Sequence, residues 1–196
     1  MDELFFSVDV ETDGPIPGPH SMLSLGCVAL DAEGQEHGAY SVNLHTLPGA
    51  SAHPKTAAWW KTQPKAWAAC RADLVAPEAG MTGFVTWVEA FEAREKCLVC
   101  YPSGFDFTFV LWYMMSFVGR TPFNFQCIDV RSFVMGLRGK HLRQTSKRYW
   151  PRRWQNKLPH THVALDDARE QGLSFIAMLQ ESRKRVRSED DNGPPS

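Results

Sequence analysis

The stretch Leu4-Phe5-Phe6-Ser7-Val8-Asp9-Val10-Glu11-Thr12 decides the fold, because it is an apolar run that ends in a pair of acids. The run through Val10 alternates poorly between apolar and polar residues, which is typical of a strand buried on both faces. Side chains two positions apart on a strand point to the same face. Asp9 and Glu11 are therefore expected to project together, and such paired carboxylates repel each other unless a cation lies between them. The alternative is an exposed strand end with incidental acids.

Outward from this strand, short apolar runs alternate with amphipathic segments. Strands Met22–Leu30 and Gly38–Leu44, joined by a turn over Asp31–Gly34, predict an antiparallel meander with the first strand. The alternation of helices and strands that follows predicts an α/β fold with a sheet of mixed direction. This is the layout of a ribonuclease-H-like fold, with a five-stranded sheet of three antiparallel strands and then parallel strands, flanked by helices. The later predicted elements are helices Thr56–Thr62, Lys65–Arg71, Thr82–Glu95, Asp106–Val118, Arg131–Leu137 and Ala164–Arg183, and strands Cys97–Tyr101 and Gln126–Val130.

Length and composition indicate one globular domain and no membrane span. The chain has 196 residues, of which 43% are hydrophobic and 22% charged, and these values are ordinary for a soluble domain. We expect the domain to cover residues 1–183 and the polar segment 184–196 to be a disordered tail. No apolar stretch reaches membrane-spanning length, and the N-terminus has no basic leader. With five cysteines expected to be reduced, the chain is predicted to be cytoplasmic.

The net charge of −1 hides a strongly basic segment. From Val130 to Leu165 there are nine Lys and Arg residues and no acid, so the rest of the chain sums to −10, which is −1 minus 9. Such a block is typical of a surface that binds a polyanion. Aromatic residues lie between the cations, as stacking platforms for nucleic-acid bases would require. We predict that Arg152, Arg153 and Trp154 contact substrate; the alternative is a solvated loop with surface charges.

Two further acids follow predicted strands. Asp106 comes after a buried strand and begins an apolar helix, where an N-cap is the simplest interpretation. Asp129 also precedes a helix and is predicted to be an N-cap without a role in metal binding. Asp106 becomes a candidate ligand only in the company of the other acids.

The last candidate group is at the start of the final helix, where His162 precedes Asp167. A histidine titrates near neutrality and can accept a proton from an attacking water. His160 and Asp166 are local rivals for the same roles, and the residues alone leave this choice open.

These motifs together resemble the DEDD exonuclease superfamily, in its branch with a catalytic histidine (DEDDh, or DnaQ-like). Asp9-Val10-Glu11-Thr12 is similar to the first motif of that branch and Phe105-Asp106 to the middle one. His162 through Ala168 is similar to the last motif, and on this resemblance His162 and Asp167 are preferred over their rivals. In many members the middle motif begins with His-Asn, whereas Tyr101-Pro102 stands here, which affects substrate positioning more than metal binding.

The resemblance implies a metal-dependent 3′→5′ exonuclease that releases nucleoside monophosphates. Two divalent cations, Mg²⁺ or Mn²⁺, would be held by Asp9, Glu11, Asp106 and Asp167, with Asp9 bridging them and His162 activating the water. The expected partners are single-stranded RNA or DNA 3′ ends, with RNA or short oligonucleotides slightly favoured. DNA proofreading or repair, and a non-catalytic nucleic-acid-binding module of the same fold, are the alternatives. A homodimer stays open, because relatives are often dimers.

The same resemblance suggests residues for the terminal nucleotide. Thr12 would lie beside the terminal sugar, and Met22 or Leu23 would wedge against the terminal base, with core packing as the alternative. Trp59 and Trp60 offer a stacking surface or helix packing against the sheet, of which we favour packing.

Overall fold

The structure is a computed structural model that describes residues 2–191, with side chains described as far as residue 186. Its strands are β1 (Glu3–Thr12), β2 (Met22–Leu30), β3 (Glu36–Asn43), β4 (Glu95–Cys100) and β5 (Ile128–Asp129). Its helices are α1 (Pro54–Trp60), α2 (Pro64–Cys70), α3 (Pro77–Glu89), α4 (Ser103–Phe117), α5 (Val130–Arg138) and α6 (Ala164–Asp191). Between α5 and α6 the chain forms three short 3₁₀ turns.

The strands form one five-stranded sheet in the order β3-β2-β1-β4-β5. β1, β2 and β3 are antiparallel, whereas β4 pairs parallel with β1 and β5 parallel with β4. The mixed sheet predicted from the sequence is therefore confirmed. Because β1 and β4 are parallel, their carboxyl ends, which carry Glu11 and Tyr101, lie at the same edge of the sheet.

β1 is buried on both faces, and its two faces belong to different cores. Phe6, Val8 and Val10 face a core that includes α3 and α4 residues. Phe5 belongs to a second core together with Phe175 of α6. Since side chains alternate along a strand, Asp9 and Glu11 share the α6 face with Phe5.

A glycine lets α6 begin directly beside the acids. Gly26 of β2 pairs with Asp9 of β1. A Cβ atom at Gly26 would lie 2.2 Å from the backbone nitrogen of Leu165, in the first turn of α6. Real Cβ atoms do not approach so closely, so only glycine admits the helix here. The contact brings Asp167 to the carboxyl end of β1.

Several predicted boundaries shift. β2 has the predicted bounds, but α3 begins at Pro77, earlier than predicted, and β5 has only two residues. Asp129 caps α5 as predicted, with its Oδ1 accepting a hydrogen bond from the Ser132 backbone nitrogen at 2.7 Å. α6 continues to Asp191, so the predicted start of the tail at residue 184 falls within this helix, and residues 192–196 lie outside the described part. Within residues 2–191, no helix has both the length and the apolar character that a membrane crossing requires.

Candidate active site

Three secondary-structure elements bring the four predicted acids to one edge of the sheet. Asp9 and Glu11 come from β1, Asp106 from the first turn of α4 and Asp167 from the first turn of α6. The N-cap of α4 is Pro102, so Asp106 lies inside the helix and does not cap it. Carboxylate oxygens of Asp9, Glu11 and Asp167 all lie within 4.8 Å of one another.

Three of these carboxyl groups resist ionisation in the absence of a cation. Burial, and then the charges of Asp106 and Asp167, raise the pKa of Asp9 well above its ordinary value. Burial, and then the charges of Asp9 and Asp167, raise the pKa of Glu11 to about 9. Burial also raises the pKa of Asp106. Crowded acids of this kind favour a bound cation, which would compensate their mutual repulsion.

Asp167 differs from the other three acids. Burial alone would raise its pKa, but hydrogen bonds from the His160 ring and from the backbone nitrogens of Thr161 and His162 outweigh burial and hold it below its ordinary value. The two backbone nitrogens donate to its carboxylate oxygens at 2.9 and 3.0 Å. Asp167 therefore stays ionised as the anionic member of the cluster.

Asp106 supplies the clearest test of whether a metal fits. Its side chain is only 2% exposed, and its Oδ2 has no hydrogen-bond partner among the described residues. A buried acceptor without a partner costs about 1–3 kcal/mol. An oxygen-rich set of clustered carboxylates suits a hard cation such as Mg²⁺ or Mn²⁺. The donor set therefore fits divalent metal ions.

His162 lies beside Asp167 and has an uncommon backbone conformation, with φ of +57°. Its ring centroid is 5.0 Å from that of Trp59 and 4.5 Å from that of His160. Burial, and then the charge of His160, lower the pKa of His162, although Asp167 opposes the shift. The imidazole is therefore neutral near pH 7, with a lone pair available to accept a proton.

The local rivals separate in the structure. His160 Nδ1 lies 3.0 Å from Asp167 Oδ2, and His160, His162 and Asp167 form a second group with ligand atoms within 4.8 Å of one another. The side chain of Asp166 is 51% exposed, with Arg169 as its ion-pair partner. His160 thus shares the site with His162, whereas Asp166 lies outside it.

A cleft of about 420 Å³ adjoins the acids, lined by residues that include Glu11, Thr12, Trp59 and Phe105. The Thr12 backbone oxygen accepts a hydrogen bond from Trp60 Nε1 at 2.9 Å, and its Oγ1 donates to the Gly14 oxygen at 2.9 Å. Thr12 is thus held rigidly at the cleft wall.

Trp59 was not predicted to line the site, since packing was favoured for both tryptophans. Trp60 is buried, as expected for packing, whereas Trp59 is 37% exposed and faces the cleft. Adjacent residues on a helix point about 100° apart. Two consecutive tryptophans on a helix therefore indicate that one of the two rings stays accessible while the other packs.

Three side chains that were predicted to contact substrate are buried in the structure. Met22 and Leu23 are 0% and 1% exposed and belong to apolar clusters of buried residues, which agrees with the alternative of core packing. Trp154 is 1% exposed, and its Nε1 donates to Glu181 Oε2 at 2.6 Å. It is therefore a buried anchor and not a stacking platform.

The basic segment is only partly free to bind an anion. Arg153 forms a two-pronged ion pair with Glu181, at 2.7 and 2.9 Å, and Lys147 pairs with Glu170. Glu170 and Glu181 belong to α6 and follow the stretch 130–165 that contains no acid. The basic segment folds back onto that helix and meets them there. Arg152 is exposed, and the described residues include no acid in ion-pair contact with it.

Comparison with known proteins gives consistent results. A family model described as "3'-5' exoribonuclease Rv2179c-like domain" matches residues 5–178. The chain is 29% identical over 187 residues to the 3'-5' DNA exonuclease Cap18 of Escherichia coli, covering 93% of this chain and 96% of that protein.

Solved structures share the fold at low sequence identity. The nuclease domain of 3'hExo, a DEDDh family member bound to rAMP, superposes with a TM-score of 0.64 at 14% identity, covering 91% of this chain and 92% of that one. E. coli Exonuclease I in complex with an oligonucleotide gives a TM-score of 0.64 at 15% identity, covering 95% of this chain and 42% of that one.

Proposed function

Because the chain belongs to the 3′-5′ exoribonuclease Rv2179c-like domain family, and is thus a 3′-5′ exonuclease of the DEDDh type, we propose a two-metal mechanism on single-stranded ends. In this mechanism the enzyme removes nucleoside 5′-monophosphates from the 3′ terminus. The observation that carries the proposal is the cluster of Asp9, Glu11 and Asp167. Asp106 is near enough for its charge to raise the pKa of Asp9, and its buried Oδ2 has no partner among the described residues.

Asp9, Glu11, Asp106 and Asp167 would hold the cations. When bound, two divalent cations orient the attacking water and stabilise the charge that develops on the leaving 3′-oxygen. The protein excludes bulk water from Glu11 and Asp106, which are 8% and 2% exposed. Electrostatic interactions between a phosphate, the cations and these acids are stronger in such a setting.

His162 acts as the general base. The lowered pKa of His162 leaves its ring unprotonated near neutrality, so it accepts a proton as the water oxygen attacks phosphorus. The bond from phosphorus to the 3′-oxygen of the preceding nucleotide breaks. The products are a nucleoside 5′-monophosphate and a strand one nucleotide shorter, with a new 3′-hydroxyl.

The cleft beside Thr12 would take the terminal nucleotide. The exposed face of Trp59 is suited to stacking on a base, which is worth about 1–3 kcal/mol. Phe105 lines the same cleft and offers a second apolar contact. Stacking is tolerant of base identity, which agrees with degradation that depends little on sequence.

RNA is the favoured substrate, and DNA is the second candidate. The family description supports RNA, whereas the 29% identical E. coli relative is a DNA exonuclease. The aromatic ring of Trp59 and the carboxylate-held cations would act on either sugar. The ratio of the two rates is therefore the quantity to measure.

The test is a gel time course with 5′-labelled single-stranded RNA and DNA of equal sequence, in Mn²⁺ or EDTA. We expect a ladder that shortens from the 3′ end in Mn²⁺ alone, faster on RNA. Asp9→Ala should abolish the ladder, and Asp166→Asn, a change at an exposed acid outside the cluster, should preserve it. Faster degradation of DNA would favour the second candidate. Strand binding without degradation in any metal would leave a non-catalytic module of the same fold.

A further inference from the structure

A second cleft, of about 490 Å³, lies on another side of the acidic cluster. It shares no lining residue with the cleft beside Thr12. Glu11 lines the first cleft and Asp9 the second, and oxygens of these two acids are within 4.8 Å of each other and of Asp167. The acidic cluster therefore separates two clefts, each within the size range of ligand sites in proteins.

The second cleft is basic. Lys147 and Arg148 line it together with Tyr101 and His160. Arg148 is exposed, its Cζ lies 4.6 Å from the ring centroid of Tyr149, and within residues 2–186 no carboxylate is in ion-pair contact with it. A guanidinium without a carboxylate partner is well suited to bind a phosphate with two parallel hydrogen bonds.

The loop that carries these cations is anchored at the end of β4. The Lys147 backbone nitrogen donates to the Tyr101 hydroxyl at 3.2 Å, and Lys147 Nζ lies 5.5 Å from the Tyr101 ring centroid. Glu170 of α6 also pairs with Lys147. Tyr101 thus fixes Lys147 and its neighbour Arg148 at the cleft.

We propose that this cleft binds the second phosphodiester from the 3′ end of the substrate, with Arg148 as its principal ligand. The inference rests on the proposed function. A strand with its terminal nucleotide beside Thr12 and its scissile phosphate at the acids must continue away from the first cleft. The second cleft offers that path. Among the described residues, its Lys147 and Arg148 are the Lys and Arg side chains that line it, whereas the first cleft has Lys55.

The experiment uses single-stranded hexanucleotides, in the sugar that the parent enzyme degrades faster. One is unmodified, one has an uncharged methylphosphonate at the second linkage from the 3′ end, and one has it at the 5′-terminal linkage. Release of the first nucleotide in Mn²⁺ gives kcat/KM for the parent, for Arg148→Ala and for Arg94→Ala. Arg94 is an exposed arginine that precedes β4, at the opposite edge of the sheet.

For the parent and Arg94→Ala, we expect the methylphosphonate at the second linkage to lower kcat/KM about tenfold, as loss of a charge-assisted hydrogen bond would. The same group at the 5′-terminal linkage should have little effect. Arg148→Ala should lower kcat/KM on the unmodified strand by a similar factor and show no further loss with the modified one. Such non-additivity identifies a direct interaction.

The proposal is overturned if the parent is insensitive to the charge of the second linkage. It is also overturned if Arg148→Ala loses as much as the parent does when that charge is removed, because the arginine would then act elsewhere. No nucleotide release by the parent from the unmodified strand would instead refute the exonuclease proposal itself.

Discussion

Replacing Glu11 by Gln should make the metal-free protein more stable at alkaline pH. Glu11 is 8% exposed, and its pKa rises from 4.5 to about 9 in the folded protein. A folded state that retains a proton which the unfolded chain releases loses stability as the pH rises between these two values. One such proton corresponds to about 1.4 kcal/mol per pH unit, and thus to about 2.7 kcal/mol between about pH 6 and 8.

The assay is urea unfolding in EDTA at several pH values, for the parent, Glu11→Gln and Asp166→Asn. The neutral amide of Glu11→Gln removes this titration, so its free energy of unfolding should fall less steeply with pH than that of the parent. Asp166→Asn changes an exposed carboxylate and should keep the slope of the parent. Equal slopes for the parent and Glu11→Gln would refute the reasoning that the cluster holds Glu11 protonated.

Three further changes test other parts of the site. Trp59→Ala should lower kcat/KM about tenfold or more, because stacking is lost. Trp67 is an exposed tryptophan outside the Thr12 cleft, so Trp67→Ala should leave kcat/KM unchanged. Steady-state rates on one oligonucleotide compare the two variants. Gly26→Ala should destabilise the fold by about 1–3 kcal/mol or more in urea unfolding, since the new Cβ meets the start of α6; unchanged stability would contradict the close approach. His162→Gln should lower kcat by a factor of about 10²–10⁴. In the parent, the rate should fall on the acidic side of the pH profile with a midpoint below the ordinary histidine pKa of about 6.5, and the variant should lack this fall. A fall that persists in the variant would belong to another group.

The sequence predicts the sheet well because the pattern of β1 has a local cause. A strand buried on both faces is mostly apolar. Leu4, Phe6, Val8 and Val10 lie in one core and Phe5 in the other. The meander of β2 follows from the same apolar run and from its turn. Neither inference needs knowledge of distant contacts.

Other features depend on tertiary approach and are not visible in local patterns. The excess of cations before α6 suggested a free polyanion surface with Trp154 exposed, but the loop folds back on α6, where Glu181 pairs with Arg153 and accepts from Trp154. The role of Gly26 likewise depends on a helix more than a hundred residues later in the chain. The contact of His160 with Asp167 is local, yet only the turn geometry selects it.

The most direct test of the account compares Asp106→Asn with Asp129→Asn. Asp106 follows β4 and Asp129 ends the neighbouring parallel strand β5. Of these two acids, Asp106 has a buried oxygen without a partner, whereas both oxygens of Asp129 accept backbone hydrogen bonds. Mass spectrometry of a hexanucleotide incubated with Mn²⁺ identifies the products. The account predicts nucleoside 5′-monophosphates and strands shortened from the 3′ end with the parent and with folded Asp129→Asn, and no release with Asp106→Asn. Internal fragments, or full activity of Asp106→Asn, would contradict it.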